Sequence, residues 1–166
     1  MYITGYLDPQ WDLSAIKQLN YKLDYHKDTN LIDQYVSSGH NHGSIHLYNC
    51  FEDNLVVDLS YIRSNFNWVN NLALAINLFT PGQYLPMHKD LYQKYSRAFN
   101  ISSTNSIIRI ILMLEDNCPG QVLQIEKRAI ADWKAGEWFG WSGNDAHAFY
   151  NLSMSDRYAV QITGTI

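Results

Sequence analysis

A chain of 166 residues suits one domain with its own hydrophobic core. Hydrophobic residues make up 46% and charged residues 17%, with no repeat, linker or low-complexity tract, which excludes a disordered or fibrous chain. The formal net charge of −4, with Lys127-Arg128 as the longest basic run, argues against a nucleic-acid surface as the main business of the chain and leaves room only for a small local patch.

The N-terminal MYITGYLDPQ lacks the basic-then-apolar layout of a signal peptide, and no apolar run reaches membrane-spanning length. A cytoplasmic location, with no membrane partner, is therefore expected. The two cysteines, Cys50 and Cys118, share no CxxC spacing, which favours thiols in a reducing compartment over a disulfide. In that setting the Asn-x-Ser sequons at Asn100 and Asn151 carry little meaning.

Apolar spacing predicts helices over DLSAIKQLNYKL (12–23) and TNLIDQYVSS (29–38), with Asp12 and Thr29 as N-caps. GHNHGSIHL contains His40, His42 and His46, but the spacing matches no standard zinc site and no cysteine pair lies near, so it reads as a glycine-flanked loop. SIHLYNCF (44–51) alternates like a strand, and LSYIRSNFNW (59–68) reads as a short helix.

From residue 72 the pattern becomes serial β. LALAINLF (72–79) leads through Pro81-Gly82 into QYLPMHKD (83–90), and a polar loop at 91–105, either a lid or a solvated connection, leads into SIIRIILML (106–114). QVLQIEKRAI (121–130), KAGEWFGW (134–141), DAHAFYN (145–151) and DRYAVQITGT (156–165) follow. The 14% aromatic content fits, with Trp133, Trp138 and Trp141 as core fillers or one of them as a wall of the substrate cavity. The expectation is one α+β domain over 1–166, with residues 1–71 as supporting helices and a strand, and residues 72–166 as a sandwich or jelly-roll barrel carrying the site.

His88 and Asp90 end one predicted strand, and residues at i and i+2 share a face. A third ligand must come from a distant strand, and His147 in DAHAFYN is the best candidate. If 151–155 form a hairpin loop, His147 lies opposite Ala159 and Phe149 opposite Arg157, so that His147 and Arg157 both point inward; a loop one residue shorter would turn Arg157 outward. A buried arginine calls for an anionic partner, and its planar fork suits a carboxylate. Arg109 has the parity of Ile111 and Met113, facing the site or lying at a strand edge. Asn77 has the parity of Phe79, as a pocket amide or a satisfied buried one.

HKD at 88–90, then His147, then Arg157 ten residues later, resembles the HxD…H…R pattern of the 2-oxoglutarate- and Fe(II)-dependent dioxygenases. FTPGQYLPMHKD resembles that family's Pro-Gly turn before its first histidine, and the stretch from GEWFGW to His147 resembles the strand before its distal one. The likeness covers residues 72–165. It implies a double-stranded β-helix (jelly-roll, cupin-like) core with N-terminal helices packed outside. It also implies Fe(II) held by His88, Asp90 and His147, and 2-oxoglutarate paired through its distal carboxylate with Arg157. O₂ is the co-reactant, with ascorbate as an optional reductant. The implied reaction hydroxylates a C–H bond of a peptide side chain, amino acid or small metabolite and releases succinate and CO₂. Phe79 stands where prolyl-hydroxylase-like members often carry tyrosine, whereas Arg109 resembles the strand arginine of aspartyl/asparaginyl β-hydroxylase-like members, where it helps hold the cosubstrate. Two other readings stand beside this one: a cupin-like metal-binding or 2-oxoglutarate-sensing protein without turnover, and a metal-dependent isomerase or hydrolase on a similar barrel.

Overall fold

A computed structural model of the chain describes residues 1–25, 33–34, 37–38, 43–49 and 57–166. The described strands form two sheets, with every pairing antiparallel. The larger has seven strands in the order β1 (Tyr2–Tyr6), β9 (Glu137–Ser142), β6 (Ile107–Met113), β11 (Arg157–Thr165), β4 (Asn70–Phe79), β3 (Ser44–Asn49) and β2 (Lys22–Tyr25). The smaller has four, in the order β5 (Tyr84–His88), β10 (His147–Asn151), β7 (Gln121–Ile125) and β8 (Arg128–Ile130). Facing each other, they make a jelly-roll core with short helices outside.

The run SIIRIILML is almost continuously apolar because β6 is buried on both faces. Ile108, Ile110 and Leu112 point outward with Val160 and Ile162 of β11 and meet Ile16 of α1 (Leu13–Lys17) and Ile62 of α2 (Ser60–Asn65). Ile111 and Met113 point inward, toward Leu123, Phe139, Trp141 and Phe149 between the sheets. The same alternation along β11 sends Tyr158, Val160 and Ile162 out, leaving Arg157, Ala159, Gln161 and Thr163 on the inner face.

Several elements differ from their sequence reading. Asp12 caps α1 as expected, accepting a 3.0 Å bond from the Ala15 amide, but the helix ends at Lys17 and residues 22–25 form an edge strand paired with β3. A helix this short has little intrinsic stability, so a strand partner at Leu47 and His46 outweighs it. Strand β1 was not expected at all, and it closes the far edge of the large sheet against β9. The N-terminal part therefore adds three strands to the sheet as well as the helices outside it. The 121–130 segment is a tight hairpin rather than one strand, turning at Glu126, which takes φ +51°. The 91–105 loop contains α3 (Gln93–Phe99), whose Tyr95 is buried and donates to the Asn71 carbonyl at 2.9 Å. Tyr92, Tyr95 and Phe99 follow helical spacing and pack under Ala73 and Ile107, which makes this segment a packed buttress and not a free connection. Thr29, most of 29–38, His40, His42 and Cys50 lie outside the described residues. No described helix is long and apolar enough to cross a membrane.

The largest correction concerns β10 and β11, which do not form a hairpin. β10 pairs with β5 and β7, β11 pairs with β4 and β6, and the intervening residues cross from one sheet to the other. Buried Asn151 holds that crossing, donating through Nδ2 to the Phe79 carbonyl at 2.7 Å and the Ser155 carbonyl at 2.9 Å. Its Oδ1 accepts from the Ser153 hydroxyl at 2.7 Å. These bonds give the carbonyls at the crossover, and the Asn151 amide itself, their partners inside the fold. Because the sheets face each other, His147 and Arg157 still point into the same space.

Candidate metal centre

His88 and His147 sit directly opposite each other in the β5–β10 ladder. Period-2 alternation alone would send Leu85 and His88 to opposite faces. Between His147 and Phe149 the partner shifts by three residues, from His88 to Leu85, so one extra residue is inserted at Pro86-Met87. Such a bulge re-aims side chains and tolerates proline, which has no N–H for the ladder. Leu85 and His88 can then both turn inward. The bulge also directs the Pro86 carbonyl at His88, which donates from Nδ1 at 2.7 Å. Upstream, the Pro81-Gly82 turn that launches β5 places Gly82 at φ +83°, a region glycine enters without steric cost.

His147 follows a turn held by Asp145, whose Oδ2 accepts the Ser142 amide at 3.1 Å. The Asp145 carbonyl accepts from His147 Nδ1 at 3.2 Å. A carbonyl can only accept, so in both contacts the imidazole Nδ1 is the donor. Both Nε2 atoms face Asp90, at 3.6 Å from Oδ1 for His88 and 3.7 Å from Oδ2 for His147. The three ligand atoms lie within 4.8 Å of one another. Orientation of metal-binding histidines by a backbone carbonyl on the other ring nitrogen is a usual second-shell device.

Asp90 lies just past the end of β5, so its place does not follow from strand alternation. Arg109 sets it, with Nε donating to Asp90 Oδ2 at 3.0 Å and a second nitrogen to the same oxygen. The remaining arm of the guanidinium donates to the Thr163 hydroxyl, its cross-strand neighbour on β11, while the Tyr92 ring lies 5.0 Å below. Burial would raise the Asp90 carboxyl, but Arg109 and the two histidines outweigh it and hold the group well below the usual carboxylate range. Burial likewise pushes His147 down to about 4, which keeps its imidazole neutral. Two imidazoles and one carboxylate are a donor set that suits a divalent first-row metal and leaves further coordination positions open.

Arg109 thus faces the site but already spends its fork on Asp90 and Thr163. Replacing it with leucine would strand a buried carboxylate. Loss of one partner from such a pair costs about 3–5 kcal/mol, and the 24% exposure of Asp90 puts the expected value near the lower figure. Thermal unfolding of metal-free Arg109→Leu should show a Tm about 6–12 °C below the parent protein, and an unchanged Tm would remove the pair from the structural account.

Arg157 lines the same cavity, between the sheets, with the three candidate ligands. It is 3% exposed, and among the described residues it has no anionic partner. One arm donates to Met113 Sδ at 3.0 Å, the guanidinium lies 3.5 Å from the centre of the Phe149 ring, and Nε has no partner. Burial alone drives its pKa well below the usual arginine value. Asn77 also lines the cavity, donating to Gln161 Oε1 at 3.3 Å and leaving its own buried Oδ1 without a partner. Sequence reading missed Thr163 and Gln161, although both share the parity of Arg157 along β11.

No family model and no curated protein matches the chain. Among solved structures, it is similar to an oxidoreductase of the 2OG-Fe(II) oxygenase family from Burkholderia pseudomallei, with a TM-score of 0.52 and 13% identity over 91% of this chain and 76% of that one. It is similar also to the Schizosaccharomyces pombe Cnp3 cupin domain, with a TM-score of 0.50 and 7% identity over 91% and 72%. At such identities the likeness establishes the fold, a cupin-type jelly roll.

Proposed function

We propose that this jelly-roll chain is an Fe(II)- and 2-oxoglutarate-dependent dioxygenase, hydroxylating a C–H bond of a peptide side chain, amino acid or small metabolite. The observation that carries the reading is Arg157, a buried cation without an anionic partner in the cavity that also holds His88, Asp90 and His147. A protein keeps such a charge at considerable cost unless a ligand supplies the counter-charge.

The spacing supports a short dicarboxylate. Phe149, against which Arg157 stacks, lies two residues beyond His147 on β10, about 6–7 Å along the strand. A five-carbon diacid bridges roughly that distance, with one carboxylate on Arg157 and its 2-oxo-acid end toward the histidines. His88 and His147 would hold the metal through Nε2, and Asp90 through its carboxylate. Arg109 and Thr163 would keep that carboxylate oriented, and the flanking Phe79, Ile111, Leu123 and Phe149 would exclude water. When bound, Fe(II) and 2-oxoglutarate supply the oxidising power that puts one oxygen atom of O₂ into the substrate and the other into succinate.

The test is anaerobic addition of Fe(II) and 2-oxoglutarate, followed by air. A visible absorption band from the metal–2-oxo-acid chelate is expected, then succinate release stimulated by the right amino acid, peptide or metabolite. Absence of the band overturns the cosubstrate assignment. The band without succinate under any substrate would instead favour a metal-binding or 2-oxoglutarate-sensing cupin.

A further inference from the structure

Arg157 is not alone in lacking a partner. Trp141 is 1% exposed, lines the same cavity, and its indole Nε1 has no acceptor among the described residues. A buried N–H left unpaired costs about 1–3 kcal/mol, and buried tryptophans usually find an acceptor. The position of this one is informative. Trp141 stands directly across from Arg109 in the β6–β9 ladder, on the row of the large sheet that also carries Thr163. Its ring centre is 4.9 Å from that of His147. Arg157 lies six residues from Thr163 along β11, opposite Phe79 on β4. The two unmet donors therefore belong to opposite ends of the cavity, one beside a candidate metal ligand and one beyond Phe149.

Neither its ladder neighbour nor the ring beside it accepts this N–H. Arg109 has only donors, and His147 presents an aromatic ring at a tilt of 48°, its Nδ1 proton committed to Asp145. A molecule bound in the cavity can supply the missing acceptor. Building on the cosubstrate reading above, we propose that the Trp141 indole N–H donates to the carboxylate at the histidine end of the 2-oxo acid. Arg157 and Trp141 would then grip the two ends of one dianion. Such a pair explains why an indole, and not a phenyl ring, occupies this inward position of β9. It also frees Arg109 from cosubstrate binding, since its fork is already spent on Asp90 and Thr163.

The experiment compares 2-oxoglutarate binding by calorimetry to the anaerobic, Mn(II)-loaded protein and two variants. Trp141→Phe removes the N–H and shortens the ring. Benzothienylalanine incorporated at position 141 replaces only the N–H by sulfur and keeps the bicyclic shape. Both should weaken 2-oxoglutarate about tenfold while Mn(II) affinity stays near that of the parent, and the benzothienylalanine protein should also keep the parent Tm. Weakening by threefold or less in the benzothienylalanine protein overturns the proposal, whatever Trp141→Phe does, because the indole would then serve only as a wall. If the parent protein itself binds no 2-oxoglutarate, the cosubstrate reading falls and this contact falls with it. If the parent binds and the isosteric variant binds equally well, only the Trp141 contact is lost.

Discussion

Arg157→Met should leave the ligand-free protein at least as stable and the ligand-bound one much less attainable. The guanidinium is buried, has no anionic partner among the described residues, and touches Met113, Phe149, Phe79 and Trp133. Methionine is unbranched and apolar and can follow much of the same path between those side chains. Replacing buried charge by well-packed apolar residues is often neutral or stabilising by about 1–4 kcal/mol, so Tm should hold or rise. Binding should move the other way. Losing one partner of a desolvated, hydrogen-bonded charge pair costs about 2–5 kcal/mol, or roughly 30- to 5,000-fold in affinity. Calorimetry with 2-oxoglutarate and a thermal melt read the two effects on one sample. A variant that binds 2-oxoglutarate within threefold of the parent would show that the counter-ion of Arg157 is something else. In the parent protein, 2-oxoglutarate at a hundred times its Kd should stabilise the fold by about 2.7 kcal/mol, and in Arg157→Met that gain should fall to about 0.9 kcal/mol or less at the same concentration.

His88→Ala carries the second large expectation. His88 is 8% exposed, donates from Nδ1 to Pro86, and faces Asp90 from Nε2. Changes in the outer shell of a metal site typically cost 10–100-fold in metal affinity, so loss of a ligand should exceed about 100-fold. The chelate absorption band and succinate release should both drop to background. Some destabilisation is expected as well, since the Pro86 carbonyl loses its donor at a cost of about 1–3 kcal/mol. Lys89→Ala provides the control, because Lys89 is exposed and lies between the two candidate ligands in sequence. Normal Fe(II) binding by His88→Ala would take His88 out of the ligand set, and equal losses in both variants would point to general disruption of the loop.

Much of this arrangement was legible before any coordinates. The ordered set His88, Asp90, His147 and Arg157 gathers around one cavity, as its order along the β-strands suggests. Two features of the fold depart from simple strand pairing and parity. His147 and Arg157 were placed on one face by pairing β10 with β11, but those strands lie in opposing sheets, and the inward direction is common to both only because the sheets face each other. His88 was aligned with Asp90 by strand parity, but Asp90 lies beyond the strand and is held by Arg109, while a bulge at Pro86-Met87 accompanies the inward turn of His88.

The sequence by itself determined which residues could meet and which face each strand would bury. Both are local properties: period-2 burial, turn chemistry at Pro81-Gly82, and a donor set of the right chemical types. Tertiary structure decided which strands became neighbours, where the ladder slipped by one residue, and which of two inward arginines kept its charge unpaired. These depend on contacts between residues far apart in the chain, such as Arg109 with Asp90 and Asn151 with Phe79. Their free energies are settled by desolvation and packing in the assembled core, and no window of neighbouring residues contains that information.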